Sequence, residues 1–350
     1  MTMDAAVLGP PAEPPHAGPF AIEELVHMAE RAAIGAGAPI AIAERVAAML
    51  VDADARNIAS HGLSRLPSYL RRARAGLIDP NATPQVLIKS QATALIDGAN
   101  GYGVSAADLA CSMASDCARR LGVGWATTVR SNHVGALGFF VRELARADLI
   151  ALMWSNAAPS VCAHNGRFSI LGTNPIAMAA PRHPNPVVLD MATSAVARGR
   201  VRRALAEGQD IPLGWGVDAT GTGTVDPSTA LAGALLPLGG AKGYGLSVFV
   251  EILSGVLGGG DSLDDVYDTE KLSSPSAIAF TVVALDPERF TTREQFDERL
   301  ESVIARLKAS GENEILMPGE REDAAYETAQ NSGVVLARDV YENLVREAGR

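Results

Sequence analysis

The stretch "DPNATPQVLIKSQATALIDG", Asp79–Gly98, marks the point at which the chain changes character. Two prolines and an asparagine close what precedes it, and the apolar runs "QVLIK" and "TALIDG" follow, each bounded by turn residues, as strands do. Upstream the pattern is helical. "AIEELVHMAERAAIGAG" spaces Ile22, Leu25, Met28 and Ala32 three and four residues apart before a glycine-rich exit, and "IAERVAAMLVDADAR" repeats the pattern. "PSYLRRARAG" then reads as a helix with Pro67 at its first position and Gly76 at its end.

Downstream, "SAADLACSMASDCARRLG" is an amphipathic helix, and "WATTVR", "LIALMWS", "PIAMAAP", "PVVLDMA" and "AIAFTVVAL" are strand candidates. The glycine-rich helix "GYGLSVFVEILSGVL" falls between the last two. Few of these strands alternate cleanly, which predicts a sheet covered by helices on at least one face. "REQFDERLESVIARLKASG" and "ARDVYENLVREAG" return to helix. Helical ends around an α/β centre predict a mostly helical domain built from residues 21–84 and 288–350, with an α/β domain of residues 85–287 inserted. Residues 1–20, with five prolines and no basic-then-apolar leader, read as a disordered tail.

Composition narrows the function. The chain has 350 residues, 47% of them hydrophobic, enough for a sizeable buried core. Its net charge of −10 offers no footprint for nucleic acid or an anionic membrane surface. The most apolar window, "GLSVFVEILSGVLGGG", is interrupted by Glu251 and is too short to span a bilayer. Cys111, Cys117 and Cys162 form neither a CxxC pair nor a zinc spacing and read as buried thiols of a reducing compartment, so the expected location is cytoplasmic. The histidines lack carboxylate or cysteine partners at ligand spacing, so no catalytic metal is expected.

The nucleotide fingerprints fail. "GANGYG" has the wrong glycine offsets, and in "GGAKGYGLS" Lys242 is followed by Gly243 where a P-loop needs Ser or Thr. Lys242 still places a point charge in a glycine-rich loop opening a helix, where an anion is favoured over a plain solvated loop. His133, in "TTVRSNHVGALGFF", sits at a strand-to-helix junction as a general acid/base candidate or a structural histidine. In "NIASHGLSRLPSYLRR", His61 and Arg65 pair a proton carrier with a planar fork suited to a carboxylate, and Tyr69 adds a hydroxyl; the alternative is a solvated arginine face. Asn174 before Pro175 marks a defined turn. Asp190, Thr193 and Ser194 suit either a ribose or a helix cap, and the arginines at 198, 200, 202 and 203 either a 2′-phosphate or a charged helix face.

"SHGLSRLPSY", "RSNHVGALG", "LGTNPIAMAAP", "VLDMATS", "DPSTALAGALLPLGGAKGYGL" and "LMPGERE", in this order, resemble the motifs of the type 2 malate/L-lactate dehydrogenases. That group includes ureidoglycolate, sulfolactate and diketogulonate oxidoreductases and cyclic-imine reductases, and the likeness runs from about Ile22 to the C-terminus. It implies an NAD- or NADP-dependent enzyme whose α/β cofactor domain, with a mixed sheet, is not a Rossmann fold. It further implies His133 as acid/base, with His61 and Ser60 as a second proton-transfer pair, and Arg65 and Tyr69 on a small carboxylate substrate. Asn174, Asp190, Met191, Ala192, Lys242 and Gly243 would line the cofactor, and the chain would form a homodimer. Reduction of a cyclic imine carboxylate is an alternative chemistry, and a non-catalytic nucleotide-binding module an alternative of another class. Ala241 stands where many relatives carry His or Tyr, and "SNAAPSVCAHNGRFS" departs from the bulkier family version.

Overall fold

The computed structural model describes residues 16–349. The chain opens with β1 (His16–Phe20), α1 (Ile22–Gly35), α2 (Ile40–Ala55) and α3 (Leu66–Arg74). It enters a sheet through β2 (Gln85–Lys89) and β3 (Thr93–Asp97), then passes α4 (Gly103–Leu121), β4 (Val123–Ser131), α5 (Leu137–Arg146) and β5 (Ile150–Ser155). The short strands β6 (Val161–Cys162) and β7 (Ser169–Leu171) precede β8 (Ile176–Ala180) and β9 (Val187–Met191). There follow α6 (Arg198–Ala206), β10 (Gly216–Val217), β11 (Gly223–Thr224), α7 (Pro227–Ala232), β12 (Ala234–Leu235) and α8 (Ala241–Glu251). The chain finishes with β13 (Ile278–Leu285), α9 (Arg293–Lys308), α10 (Glu320–Ser332), β14 (Val334–Ala337) and α11 (Arg338–Ala348).

The main sheet has seven strands in the order β2-β3-β4-β13-β5-β8-β9. Its neighbours are antiparallel except β3 and β4, which run parallel. Central β13 is buried along nearly its whole length because both its faces are covered, by α4 on one side and by the π-helical turn Ile252–Val256 that continues α8 on the other. Thr281 of β13 donates to the Leu253 carbonyl at 2.7 Å, tying strand to turn. A strand shielded on both faces needs no polar alternation, hence its continuous apolar run. Half-covered β3 and β8 do alternate. A second sheet, β11-β10-β12-β6-β7, encloses a smaller core around Val161, Leu171, Val201 and Leu235.

The largest core is continuous from Leu25, Ala29 and Leu50 of α1 and α2, through Ala107 and Phe140 of α4 and α5, to Ile96 and Phe280 in the sheet. Buried Arg56, at the end of α2, donates to Asp323 of α10 at 2.6 Å, joining elements 267 residues apart. His16–Phe20 corrects the expectation of a tail to residue 20: it is a strand paired antiparallel with β14, while residues 1–15 lie outside the described residues. The ladder satisfies its backbone groups, and Phe20 stacks on Tyr341 with centroids 4.4 Å apart, burial enough to order so short a strand. Helix α3 starts one residue before Pro67, which occupies the first turn where its missing N–H costs nothing. No helix among the described residues is long and apolar enough to cross a membrane.

Candidate active site

Between α2 and α3 the backbone makes two single 3₁₀ turns, Ala59–His61 and Leu63–Arg65, hinged at Gly62. Gly62 has an ordinary negative φ; glycine is needed there because a Cβ would overlap the Asp54 carboxylate. That carboxylate accepts the Leu63 N–H at 2.7 Å and so fixes the second turn. Burial pushes Asp54 up to about 7, partly offset by the Leu63 hydrogen bond. An acid whose native pKa lies above its unfolded value costs stability as pH rises from about 4 to 7, since the native state then binds the extra proton. Asp54→Asn keeps an acceptor and removes the charge, so it should raise Tm by more at pH 8 than at pH 5. Equal shifts at both pH values would refute this role.

The turns bring His61 beside His133, their rings stacked at 5.7 Å between centroids and both half-buried. His133 follows β4, where the Asn132 side chain locks the backbone by donating to the Asn100 side-chain oxygen at 3.0 Å and to the Gly101 carbonyl at 2.9 Å. The Gly135 N–H reaches His133 Nδ1 at 3.2 Å, and the Tyr69 hydroxyl lies 2.6 Å from the same nitrogen. A backbone N–H can only donate, so Nδ1 accepts, Tyr69 donates to it, and the neutral ring carries its proton on Nε2. Nε2 has no hydrogen-bond partner among the described residues. Burial, then the Arg65 charge and neighbouring His61, holds His133 well below the usual histidine range. Burial and Arg65 likewise lower His61 to about 4. Ser60 Oγ lies 2.9 Å from His61 Nδ1. Tyr69 is 4% exposed, and its hydroxyl meets His133.

Arg65 donates through Nε to the Ser60 carbonyl at 2.7 Å and pairs through Nη1 with Glu270. Glu270 belongs to the irregular segment between α8 and β13, whose backbone rests on α3: the Thr269 carbonyl accepts from Ser68 at 2.5 Å, and the Lys271 and Ser274 carbonyls accept from Arg72. Thr269, Tyr69, Arg72, Tyr102, Asn132 and His133 enclose a cavity of about 10 Å³, room for one water.

The residues expected at a cofactor lie at the ends of β8, β9 and α8. Asp190 accepts the Gly138 N–H at 2.7 Å and so caps α5 rather than the helix that follows it in sequence. It is open to solvent yet crowded by protein atoms, and this burial raises its carboxyl above the usual range, partly offset by the Gly138 hydrogen bond. Met191 and Ala192 are half-buried beside it. Lys242 is exposed in the first turn of α8, where no acidic residue competes and Gly239 and Gly240 both take positive φ. Gly243 is buried, and a Cβ there would overlap the Leu238 backbone and the Thr193 carbonyl, so it lets two loops meet. Asn174 follows β7 in the turn before Pro175. It is fully buried at φ 37, with Nδ2 donating to Glu251 at 2.8 Å and to Ser247 Oγ at 3.0 Å, and Oδ1 accepting the Ala157 N–H at 3.1 Å. The His164 ring lies beside Gly240, so an imidazole approaches the lysine loop despite Ala241. Gly199, near the start of α6, packs closely on Ser60. Arg198 and Arg202 of that helix turn toward Asp268 at 3.4 Å and Glu270 at 3.5 Å, while Arg203 pairs along the helix with Glu207. Among the described residues no cluster of three or more His, Cys, Asp or Glu could hold a metal ion.

The family model for malate/L-lactate dehydrogenase matches residues 20–345. The chain belongs to the malate/L-lactate dehydrogenase family. Among solved members, sulfolactate dehydrogenase from Methanocaldococcus jannaschii superposes with a TM-score of 0.88 at 32% identity, covering 94% of this chain and 96% of that one. A (2R)-3-sulfolactate dehydrogenase (NADP(+)) from Chromohalobacter salexigens is 36% identical over 87% of this chain and 91% of its own length. A Δ1-pyrroline-2-carboxylate/Δ1-piperideine-2-carboxylate reductase from Pseudomonas syringae pv. tomato is 33% identical over 93% and 95%. For this malate/L-lactate dehydrogenase family member, sequence reasoning missed Asp54 and Glu270. Asp54 resembles any polar position on α2, and Glu270 lies in an irregular loop 205 residues from its partner.

Proposed function

We propose that the protein is an NAD(P)-dependent oxidoreductase interconverting a 2-hydroxy acid and a 2-keto acid. The observation that carries this is the Tyr69–His133 hydrogen bond set beside His61 and the Arg65 guanidinium. Arg65 anchors the substrate carboxylate through its planar fork. His133 takes up a proton with the keto acid bound, donates it to the carbonyl oxygen as negative charge develops there during reduction and is left neutral, and in reverse the neutral ring accepts the proton of the hydroxyl. Tyr69, whose hydroxyl can donate to or accept from Nδ1, holds the ring in both protonation states and borders the substrate with Arg65. The Ser60–His61 pair is the second candidate for proton transfer. A nicotinamide supplies or receives the hydride.

The residues present fit such a cofactor. Lys242 and the uncapped backbone N–H groups opening α8 offer the charge and donors a diphosphate needs, with Gly243 and Asn174 on the same side in this reading, and Asp190, beside Met191 and Ala192, is one hydrogen bond from the helix that follows His133. The sheet proposed to carry it is not of the Rossmann kind: six neighbouring pairs include one parallel pair, where a doubly wound sheet is mostly parallel. In the same reading, residues 85–287 form the cofactor domain, and residues 21–84 with 288–350 the helical one. The protein works as a homodimer in the cytoplasm. Exposed Leu246, Phe249 and Val256 along α8 and its continuation support the dimer, and free Cys111, Cys117 and Cys162 support the reducing compartment.

The test is NADH and NADPH oxidation against oxaloacetate, pyruvate, 3-sulfopyruvate and cyclic imine carboxylates. Turnover of a 2-keto acid is expected. Turnover of the imines alone would favour the reductase reading, which the Pseudomonas relative supports. Cofactor binding without turnover of any of them would favour a nucleotide-binding module and refute catalysis.

A further inference from the structure

Glu270 occupies the group that the proposed reading reserves for the substrate. Its Oε1 accepts from Arg65 Nη1 and stands 3.5 Å from Arg202 Nη1, so one carboxylate oxygen already lies between two guanidinium groups. The backbone around it is fixed. Its own N–H donates to Asp268 Oδ1 at 2.9 Å, Asp268 Oδ2 meets Arg198 at 3.4 Å, and the carbonyls of Thr269 and Lys271 on either side accept from Ser68 and Arg72 of α3. Lifting the segment would break all of these bonds, and Arg72 is a buried cation that would lose its carbonyl partners. The Glu270 side chain is 30% exposed and turns about its own single bonds without disturbing any of them.

We infer that Glu270 is a resident competitor for Arg65, which a substrate carboxylate displaces toward Arg202, so that Glu270 and Arg202 set the affinity of the site for carboxylates. The inference rests on Arg65 being the carboxylate anchor. The exchange replaces one carboxylate by another, so Arg65 is not left unpaired, and Glu270 moves to a cation already in reach. Arg202 is 39% exposed, so this outer pairing is weak and serves to receive Glu270 rather than to hold it. The apparent affinity for a carboxylate is then the intrinsic affinity reduced by the fraction of molecules in which Glu270 has left Arg65.

The test titrates oxamate, a 2-keto acid analogue, into the full-length protein with NADH present, followed by calorimetry alongside steady-state kinetics. Glu270→Gln keeps a hydrogen-bond acceptor but removes the competing charge. It should bind oxamate about three- to tenfold tighter, with the kinetic change falling on KM. Arg202→Gln should weaken oxamate about two- to fivefold in the native background and have no effect in the Glu270→Gln background, because Arg202 acts only through Glu270. Equal or weaker binding by Glu270→Gln would overturn the inference and make Glu270 a support for Arg65. A loss from Arg202→Gln that persists in the double variant would also overturn it, by placing Arg202 on the ligand itself. Absence of oxamate binding in both the native protein and Glu270→Gln would remove Arg65 as anchor, and the inference with it.

Discussion

Replacing His133 by alanine should lower kcat by about 10²–10⁴-fold while leaving binding of the nicotinamide nucleotide intact. The size follows from what the ring does: it is the positioned proton donor for the oxygen that gains charge. The substitution also strips the buried Tyr69 hydroxyl of its partner, at a stability cost of about 1–3 kcal/mol, so the variant should be assayed well below its Tm. Tyr69→Phe provides the control: it keeps Nε2 but frees Nδ1 to take the proton, so a smaller loss is expected. A His133→Ala variant retaining native kcat would sink the assignment and move attention to His61. The pH profile is a second check. Because burial and Arg65 hold His133 well below the usual histidine range, the protonated donor grows scarcer as pH rises, so the reduction rate should fall steadily across pH 6–8, where an ordinary imidazole would begin its fall only near pH 6.5. The same shift acts on stability. Below about pH 6.5 the unfolded chain takes up protons at His61 and His133 that the native chain refuses, so these rings contribute stability above that pH and lose it on acidification.

Arg65→Lys should reduce kcat/KM by about 10²-fold, equivalent to about 2.7 kcal/mol of transition-state stabilisation, although the charge is conserved. Arginine here meets two demands at once: Nε holds the Ser60 carbonyl and Nη1 reaches the carboxylate position. A lysine ammonium is a single point and cannot do both. Because the positive charge stays near both imidazoles, their pKa values should remain low, which separates loss of anchoring from loss of electrostatic tuning. Arg65→Met removes both, so it should also raise the His61 and His133 pKa values, measurable by NMR titration. A kcat/KM within twofold of native for Arg65→Lys would mean that the carboxylate binds elsewhere.

The strands of the main sheet were legible because each is an apolar run long enough to be read against its turn residues, and Pro67 placed the start of α3 to within one residue. The second sheet was not, since strands of two or three residues such as Val161–Cys162 show no period. Helix α10, "EREDAAYETAQNS", was missed because it is polar nearly all round and buries little beyond Asp323 and Ala329. In the site, His133 and Arg65 could be singled out by the chemistry of their side chains. The hydrogen bond of Tyr69 was not legible, since its hydroxyl turns to a ring 64 residues later. The bracing hydrogen bonds of Asn174 were not legible either, because its partners are as remote in sequence as Glu251.

The pairing of β1 with β14 joins His16–Phe20 to residues about 320 positions later. On a ribosome, where chains emerge from the N-terminus at about 5–20 residues per second, that first strand waits for nearly the whole protein before its hydrogen-bonding edge is covered. The Arg56–Asp323 contact is delayed in the same way, leaving a cation at the end of α2 without its partner on α10. The largest core is therefore sealed last, by its C-terminal segment, and the partly made chain carries an unpaired strand edge until then.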